Sequence, residues 1–350
     1  MTAITILHGS ADRYGASRVL CSDARMLVQA GHDVTCVLAE DGPLVDDLLT
    51  AGIDVTVERM SVIRRATGLK RTRLPRLPRA ALSADVVVLW TLALALYAPA
   101  LQMRRRRFGV SVHEYFPSRT GNFLARLATT GATWVHTNSL VVRMWIQRAG
   151  RLRSGCILTA YPAVGMPPVM PTKVATTSLR LALAGRTNGR KGHLQAIEAT
   201  VAARMRGLDV SLDLYGDPYP GQEDHLRVIL RRASGVPYVT YLGRAERPRY
   251  QEYDLMLFLP TAPESFGLTP VEAWADGTRT LGVPLGGGAE SLALCDALVV
   301  EPTGSDILAG IEWYFFNRCK IKPMQRDAPA ATLCTVIRRR QMWECSLCMS

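Results

Sequence analysis

The segment that decides the fold reads DVTCVL at residues 33–38, LVDDLLTA at 44–51 and IDVTV at 53–57. The outer pieces are short, apolar and rich in β-branched residues, while the middle piece repeats its leucines at helical spacing. Upstream, Ile4–Leu7 reads as a strand and Arg18–Ala30 as an amphipathic helix, which makes the order β-α-β-α-β. Strands separated by helices pair in parallel through crossovers, so the stretch predicts a doubly wound α/β sheet.

The alternation resumes with strands at Val86–Leu89, Gly109–His113, Thr133–Thr137 and Cys156–Thr159 and helices such as Asn122–Thr130 and Leu140–Gly150. It breaks at Tyr161–Thr172, where four prolines and no periodicity mark a linker. A second series then begins with strand Leu179–Ala184, helix Lys191–Arg206, strand Val210–Tyr215 and helix Gln222–Ala233. It continues through strands Val239–Leu242 and Asp254–Leu259, helix Leu268–Asp276 and strand Arg279–Val283. The expected organisation is a Rossmann-like domain at 1–164, a linker at 165–178, a second Rossmann-like domain at 179–317 and an atypical tail at 318–350. A chain of 350 residues, 48% of them apolar, is long enough for two cores. In open parallel sheets ligands gather at the carboxyl ends of the strands, so the loops there are the place to look for chemistry.

Net charge is +12, and its distribution is uneven: residues 1–170 hold 21 Lys+Arg against 11 Asp+Glu, residues 171–350 hold 21 against 19. The excess gathers between Arg64 and Arg79 and in Arg104–Arg107. Such a surface suits anionic lipid head groups; a solvated arginine-rich loop is the plain alternative, and no nucleic-acid-binding motif accompanies the charge. The run Val86–Leu101 before Arg104 is too short for a membrane span and reads as a buried strand followed by a helix. Eight cysteines scattered mostly in apolar segments, and an N-terminus without a basic leader and apolar core, favour a cytoplasmic protein, for which the basic segments leave open docking on the inner face of the plasma membrane.

In the loop after strand 254–259, ESFGLTPVE (264–272) places Glu264 just before a helix start and Glu272 one turn inside it. Backbone N–H groups at that start favour an anion, and two acids beside it suit hydroxyls flanking a phosphate. With Asp254-Leu-Met-Leu-Phe-Leu-Pro before it and Gly286-Gly-Gly-Ala-Glu290 after it, the motif resembles the donor site of retaining glycosyltransferases of the GT-B fold, family 4-like (group 1). The resemblance spans roughly residues 3–315 and implies two Rossmann-like domains facing a central cleft. In its terms Glu264 binds donor-sugar hydroxyls, Phe266, Gly267 and Leu268 meet sugar and phosphate, and Glu272 binds the ribose.

Further residues follow from the same resemblance. Gly185-Arg186-Thr-Asn-Gly-Arg190-Lys191 after a strand resembles the loop whose Arg and Lys bind the nucleotide diphosphate; its plain alternative is a basic strand-to-helix turn. Preorganised cations aimed at a departing diphosphate lower the barrier. His113 resembles the histidine that reaches the donor sugar, with Glu114 a weaker candidate and a structural histidine the alternative. Gly15 and Ala16 stand where family members usually carry a Gly-Gly pair near the phosphate. Asp217 matches a turn on the nucleotide side, and Arg244 lies near the base.

The catalytic set is therefore His113, Glu264, Arg186 and Lys191; the donor-binding set is Gly15, Ala16, Gly185, Asp217, Arg244, Phe266, Gly267, Leu268 and Glu272. No D-x-D signature is present, so no metal and no other cofactor is expected, the nucleoside-diphosphate sugar being the substrate. The partner is a glycan or lipid-linked acceptor, with no role for nucleic acid. The tail, with Cys319, Cys334, Cys345 and Cys348, matches nothing in the family; zinc is disfavoured because structural sites use two close cysteine pairs. A tail that failed to form a closing helix would leave a non-catalytic nucleotide-sugar or glycan-binding relative as the alternative.

Overall fold

The computed structural model describes residues 1–63, 75–152, 156–165, 177–219, 221–245, 248–321 and 329–349. The basic stretch from Arg64 to Arg73, most of the 165–178 linker and residues 322–328 of the tail lie outside these. The chain divides into two compact units, Met1–Ala163 with Thr335–Ser350, and Val164–Cys334.

In the first unit the elements follow as β1 (Ala3–His8), α1 (Gly15–Gln29), β2 (Asp33–Leu38), α2 (Pro43–Thr50), β3 (Asp54–Val57), α3 (Arg79–Ser83) and β4 (Val86–Trp90). A 3-10 turn at Leu92–Leu94 leads to α4 (Tyr97–Met103), β5 (Phe108–Val112), α5 (Arg119–Thr129), β6 (Trp134–Thr137), α6 (Leu140–Ala149) and β7 (Cys156–Thr159). The strands form one sheet in the order β3-β2-β1-β4-β5-β6-β7, with parallel neighbours throughout. Strand β4, Val-Val-Val-Leu-Trp, is buried at every residue, as a central strand covered on both faces must be. Helices α5 and α6 start at Ser118 and Ser139, whose hydroxyls accept the Gly121 and Val142 N–H groups at 3.0 and 3.1 Å.

The second unit repeats the plan: β8 (Leu179–Ala184), α7 (His193–Met205), β9 (Val210–Tyr215), α8 (Asp224–Ser234), β10 (Val239–Gly243), β11 (Leu255–Phe258), α9 (Leu268–Ala275), β12 (Arg279–Gly282), α10 (Gly288–Leu294), β13 (Leu298–Val299), α11 (Gly304–Asn317) and α12 (Pro329–Leu333). Its sheet order is β10-β9-β8-β11-β12-β13, again parallel. In each sheet the order reverses beside the first strand, between β1 and β4 and between β8 and β11. Crevices at such switch points are where doubly wound sheets hold ligands. The expected α/β class and two Rossmann-like sheets are therefore found. No helix among the described residues is long and apolar enough to cross a membrane.

The tail, which the sequence left open, ends in a helix. Residues Val336–Cys348 form α13, capped by Thr335, whose hydroxyl accepts the Arg338 N–H at 3.2 Å, and this helix belongs to the first unit. Its anchor is Arg339, which donates from Nε to Asp23 Oδ1 of α1 at 2.9 Å, from Nη2 to Asp23 Oδ2 and from Nη1 to the Ala160 carbonyl at 3.0 Å. Asp23 Oδ2 also accepts the Trp343 indole N–H at 2.8 Å. Both charged side chains are 2% exposed. Among the described residues no group of three or more His, Cys, Asp or Glu side chains is placed to hold a metal ion, and all eight cysteines are free thiols.

Breaking a buried pair strands a charge, so Arg339→Met is expected to lower unfolding free energy by ~3–5 kcal/mol, with the double variant Asp23→Leu/Arg339→Met recovering much of the loss. Urea titration followed by tryptophan fluorescence measures both; a single-variant loss below ~1 kcal/mol would mean that the pair behaves as a solvated one.

Candidate functional site

In the second unit, the loops at the carboxyl ends of β8, β9, β10 and β11 are stitched together through their backbones. The Gly185 N–H donates to the Tyr215 carbonyl at 3.1 Å, Thr187 N–H to Asp217 O at 3.2 Å and Gly216 N–H to Gly243 O at 2.9 Å. Gly216 makes this possible: its φ is +142°, and a Cβ there would lie 1.7 Å from the Gly185 carbonyl oxygen. The loop after β8 is in turn tied to the loop after β11, because Thr261 N–H donates to Arg190 O at 3.1 Å and its hydroxyl to Gly189 O at 2.8 Å.

This frame brings Lys191 to Glu264, Nζ to Oε1, at 2.8 Å. Their side chains are 27% and 16% exposed, so the pair lies at the rim of the structure and not in its core. Glu264 is fixed at the backbone by a parallel bridge to Gly286 and by accepting the Gly287 N–H at 2.8 Å. Beyond it Phe266 is buried, and Gly267 takes φ +87° over the ring of Phe258, which would stand 2.7 Å from a Cβ. Gly267 thus lets α9 start directly above the end of β11. Glu272, 4% exposed, lies in the second turn of that helix. Leu268 opens the helix and is half-buried.

Arg186, 8% exposed, stacks its guanidinium 3.7 Å from the centroid of the Tyr219 ring, which is 41% exposed. Asp217 lies between them in sequence order along the same edge, and Arg244 is exposed just past β10. Gly185, Arg186, Lys191, Asp217, Glu264, Phe266, Gly267, Leu268 and Glu272 therefore converge on one edge, with Arg244 at its margin. Sequence reading did not single out Tyr219, Thr261 or His193. The first two lie in aperiodic turns, and His193, first residue of α7, is a buried histidine whose Nε2 pairs with Tyr215 O at 3.3 Å.

The first unit carries a second group at its own switch point. Trp90, the last residue of β4, donates its indole N–H to the Ala16 carbonyl at 2.9 Å and stacks on His113 with centroids 4.8 Å apart. It also stacks on Trp343 of α13, with centroids 6.4 Å apart. His113 Nε2 shares a hydrogen bond with Ser111 Oγ at 2.8 Å. Burial, then the positive charge of Arg339 and the nearby His8, hold His113 well below the usual histidine pKa, so the ring is neutral near pH 7. Glu114 braces the backbone instead, its carboxylate accepting the N–H groups of Leu92 and His113, each at 3.1 Å.

Gly15 begins α1 with open space where a Cβ would stand, so nothing in the chain's own packing demands a glycine there. Buried His8 links Trp90 O and Ser17 Oγ, each at 3.1 Å, and Ser17 donates to Asp12 at 2.9 Å. Thr91, at the end of β4, has φ +116°, a conformation that costs a β-branched residue ~1–3 kcal/mol and that gathers at functional sites. No sequence signal announces it.

No protein-family model matches the chain. Over 132 residues it is 32% identical to the GtfA subunit of UDP-N-acetylglucosamine–peptide N-acetylglucosaminyltransferase from Limosilactobacillus reuteri subsp. suis, a match covering 37% of the chain and 25% of that protein. The chain thus spans about a quarter of the length of the curated relative that it matches. Among solved structures it is similar to Anabaena HepE in complex with UDP-glucose, with TM-score 0.81 and 21% identity over 99% of each chain. It is also similar to the pneumococcal O-GlcNAc transferase GtfA in complex with UDP and GlcNAc, with TM-score 0.71 and 11% identity over 98% of each chain. At these identities the shared property is the fold, and it is the GT-B fold of glycosyltransferases.

His193 also gives the site a pH dependence. Burial, helped by the charges of His225 and Lys191 and opposed by the Tyr215 carbonyl, pushes its pKa down to about 4. The unfolded chain takes up that proton near 6.5, so the contribution is complete above pH 6.5 and is lost as pH falls toward 4, by ~3 kcal/mol in all. The wild-type protein is expected to lose stability more steeply over that interval than His193→Gln in parallel urea titrations; equal slopes would place the proton elsewhere.

Proposed function

We propose that the chain is a retaining, family 4-like glycosyltransferase that moves a hexosyl group from a UDP-sugar to an acceptor hydroxyl. The observation that carries this reading is the 2.8 Å Lys191–Glu264 pair at the switch-point edge of the second sheet, beside Arg186 and the start of α9. A cation, an acid and the N–H groups of a helix start at one place match a diphosphate joined to a sugar: the phosphates meet Arg186, Lys191 and the helix start, and the sugar hydroxyls meet Glu264. Glu272, one turn farther in, suits the ribose hydroxyls, and the edge formed by Asp217 and Arg244 suits the base. The choice of uridine rests on the UDP bound in HepE and in pneumococcal GtfA.

In this reading chemistry is driven by charge. As the glycosidic bond breaks, negative charge collects on the departing UDP, and Arg186, stacked on Tyr219, is in place to receive it. Lys191 can turn from Glu264 toward that charge, which leaves the carboxylate to the sugar. His113, neutral in its aromatic stack, offers a hydrogen bond and no charge, which suits a hydroxyl. Gly15 and Ala16 leave the start of α1 open to a ligand. The acceptor is proposed to be a lipid-linked or cell-envelope glycan, met on the inner face of the plasma membrane through the basic segment that ends at the exposed Arg76 and Arg79. No metal enters the proposed reaction.

Isothermal titration with UDP, GDP, dTDP and ADP is expected to show selective UDP binding that weakens in Glu272→Ala. Lys191→Ala is expected to retain the fold and lower kcat with UDP-glucose or UDP-GlcNAc by ~100- to 1000-fold. No heat with any nucleotide at millimolar concentration would overturn the donor assignment; tight UDP binding without turnover on any glycan would favour the non-catalytic relative.

A further inference from the structure

At the opposite edge of the first sheet, where β5, β6 and β7 begin, a cleft of about 830 Å3 lies against the last residues of α13. Arg105, Arg106 and Arg107 line it together with Gln102, Thr133 and Cys348, and among the described residues no Asp or Glu stands in its wall. None of the three arginines forms an ion pair among the described residues. Arg106 donates through Nη2 to the Ala84 carbonyl, and Arg107 through Nη2 to the Ser346 and Leu347 carbonyls at 3.0 and 2.9 Å. The Nε atoms of both are buried without a partner. One exposed and two half-buried arginines in sequence, with no carboxylate paired to them among the described residues, concentrate positive charge at this edge, and an anion relieves it.

The backbone adds a second, independent observation. Helix α4 ends with Arg105 N–H bonded to Gln102 O at 2.8 Å and Arg106 N–H to Leu101 O at 2.9 Å. This pairing is the Schellman closure, whose turning residue is usually glycine. Here that residue is Arg105, at φ +50°. An exposed arginine therefore stands in the left-handed region at the mouth of a cationic cleft.

We propose that this cleft binds a phosphate-bearing anion, at a site separate from the nucleotide-sugar edge of the second unit. The exposed guanidinium of Arg105 can meet phosphate oxygens pairwise, and the charges of Arg106 and Arg107 beside it add to the attraction. The proposal does not depend on the glycosyltransferase reading. Because Arg107 also holds the last turn of α13, an anion here adds stability to the helix that closes the first unit.

The test uses the full chain with inorganic pyrophosphate as probe, with every arginine variant made and compared in the Lys191→Ala background, so that residual binding at the proposed donor site is common to all. Pyrophosphate is expected to raise Tm saturably, and Arg105→Gly is expected to raise the basal Tm, by relieving the left-handed arginine, while weakening pyrophosphate binding at least ~10-fold. Arg106→Gln, a second variant, is expected to weaken the same binding. Phosphatidylglycerol vesicles, with phosphatidylcholine as control, identify the source of the phosphate. Vesicle binding that pyrophosphate displaces and Arg105→Gly weakens assigns the site to a lipid head group, whereas pyrophosphate binding without vesicle binding assigns it to a soluble phosphate. A pyrophosphate response that is absent, or that is unchanged in both arginine variants, overturns the proposal.

Discussion

Parallel pairing of buried strands is the constraint on which the rest of the molecule depends. A parallel strand cannot return through a tight turn, so each one is followed by a helix, and every strand of a sheet delivers its loop to the same edge. With β8 and β9 in register from Leu179↔Val210 to Ala184↔Tyr215, the residues after both strands come level, and Gly185 meets Tyr215 and Gly216 by backbone alone. Charged side chains on this edge therefore start from fixed positions. Arg186 and Lys191 are five residues apart in sequence, yet each has its own support, one on Tyr219 and the other on Glu264.

The two units apply one topology to different electrostatics. The second gathers cations and carboxylates at its switch point. The first gathers histidines and indoles there: His8, His113 and His136 all have pKa values lowered chiefly by burial, so the edge offers directional hydrogen bonds and little charge. Part of that neutrality originates in α13, because Arg339 lies close enough to His113 and His136 to oppose their protonation. His136 is held by Ser346 at 2.6 Å and by the edge of Trp343.

The fold was legible in the sequence because strands of four to six residues with runs such as VVVLW have few other stable uses, and the turn at the start of α9 was legible because its geometry is local. Gly267 must turn, Pro270 must lie in a first helical turn, and Glu272 must follow at a fixed rise. Residues whose role is set by tertiary packing left no such trace. Trp90 looks like one more buried aromatic until Ala16, His113 and Trp343 are placed around it. Tyr219 gains its role only because Arg186 lies over it. The tail helix is illegible for a related reason: α13 buries Arg339 and Ser346 along with Met342 and Trp343, so its inward face does not show the apolar stripe that periodicity detects.

The Asp23–Arg339 pair spans 316 residues of sequence. A growing chain exposes Asp23 at the outset, yet the partner that neutralises it is made only after the whole second unit. During synthesis the first unit must therefore wait with an open seam along α1 and β7, and the second unit, contiguous in sequence, is free to fold before the first is complete. The order of birth and the order of completion are reversed, and a chain cut short after residue 334 carries a first unit without α13.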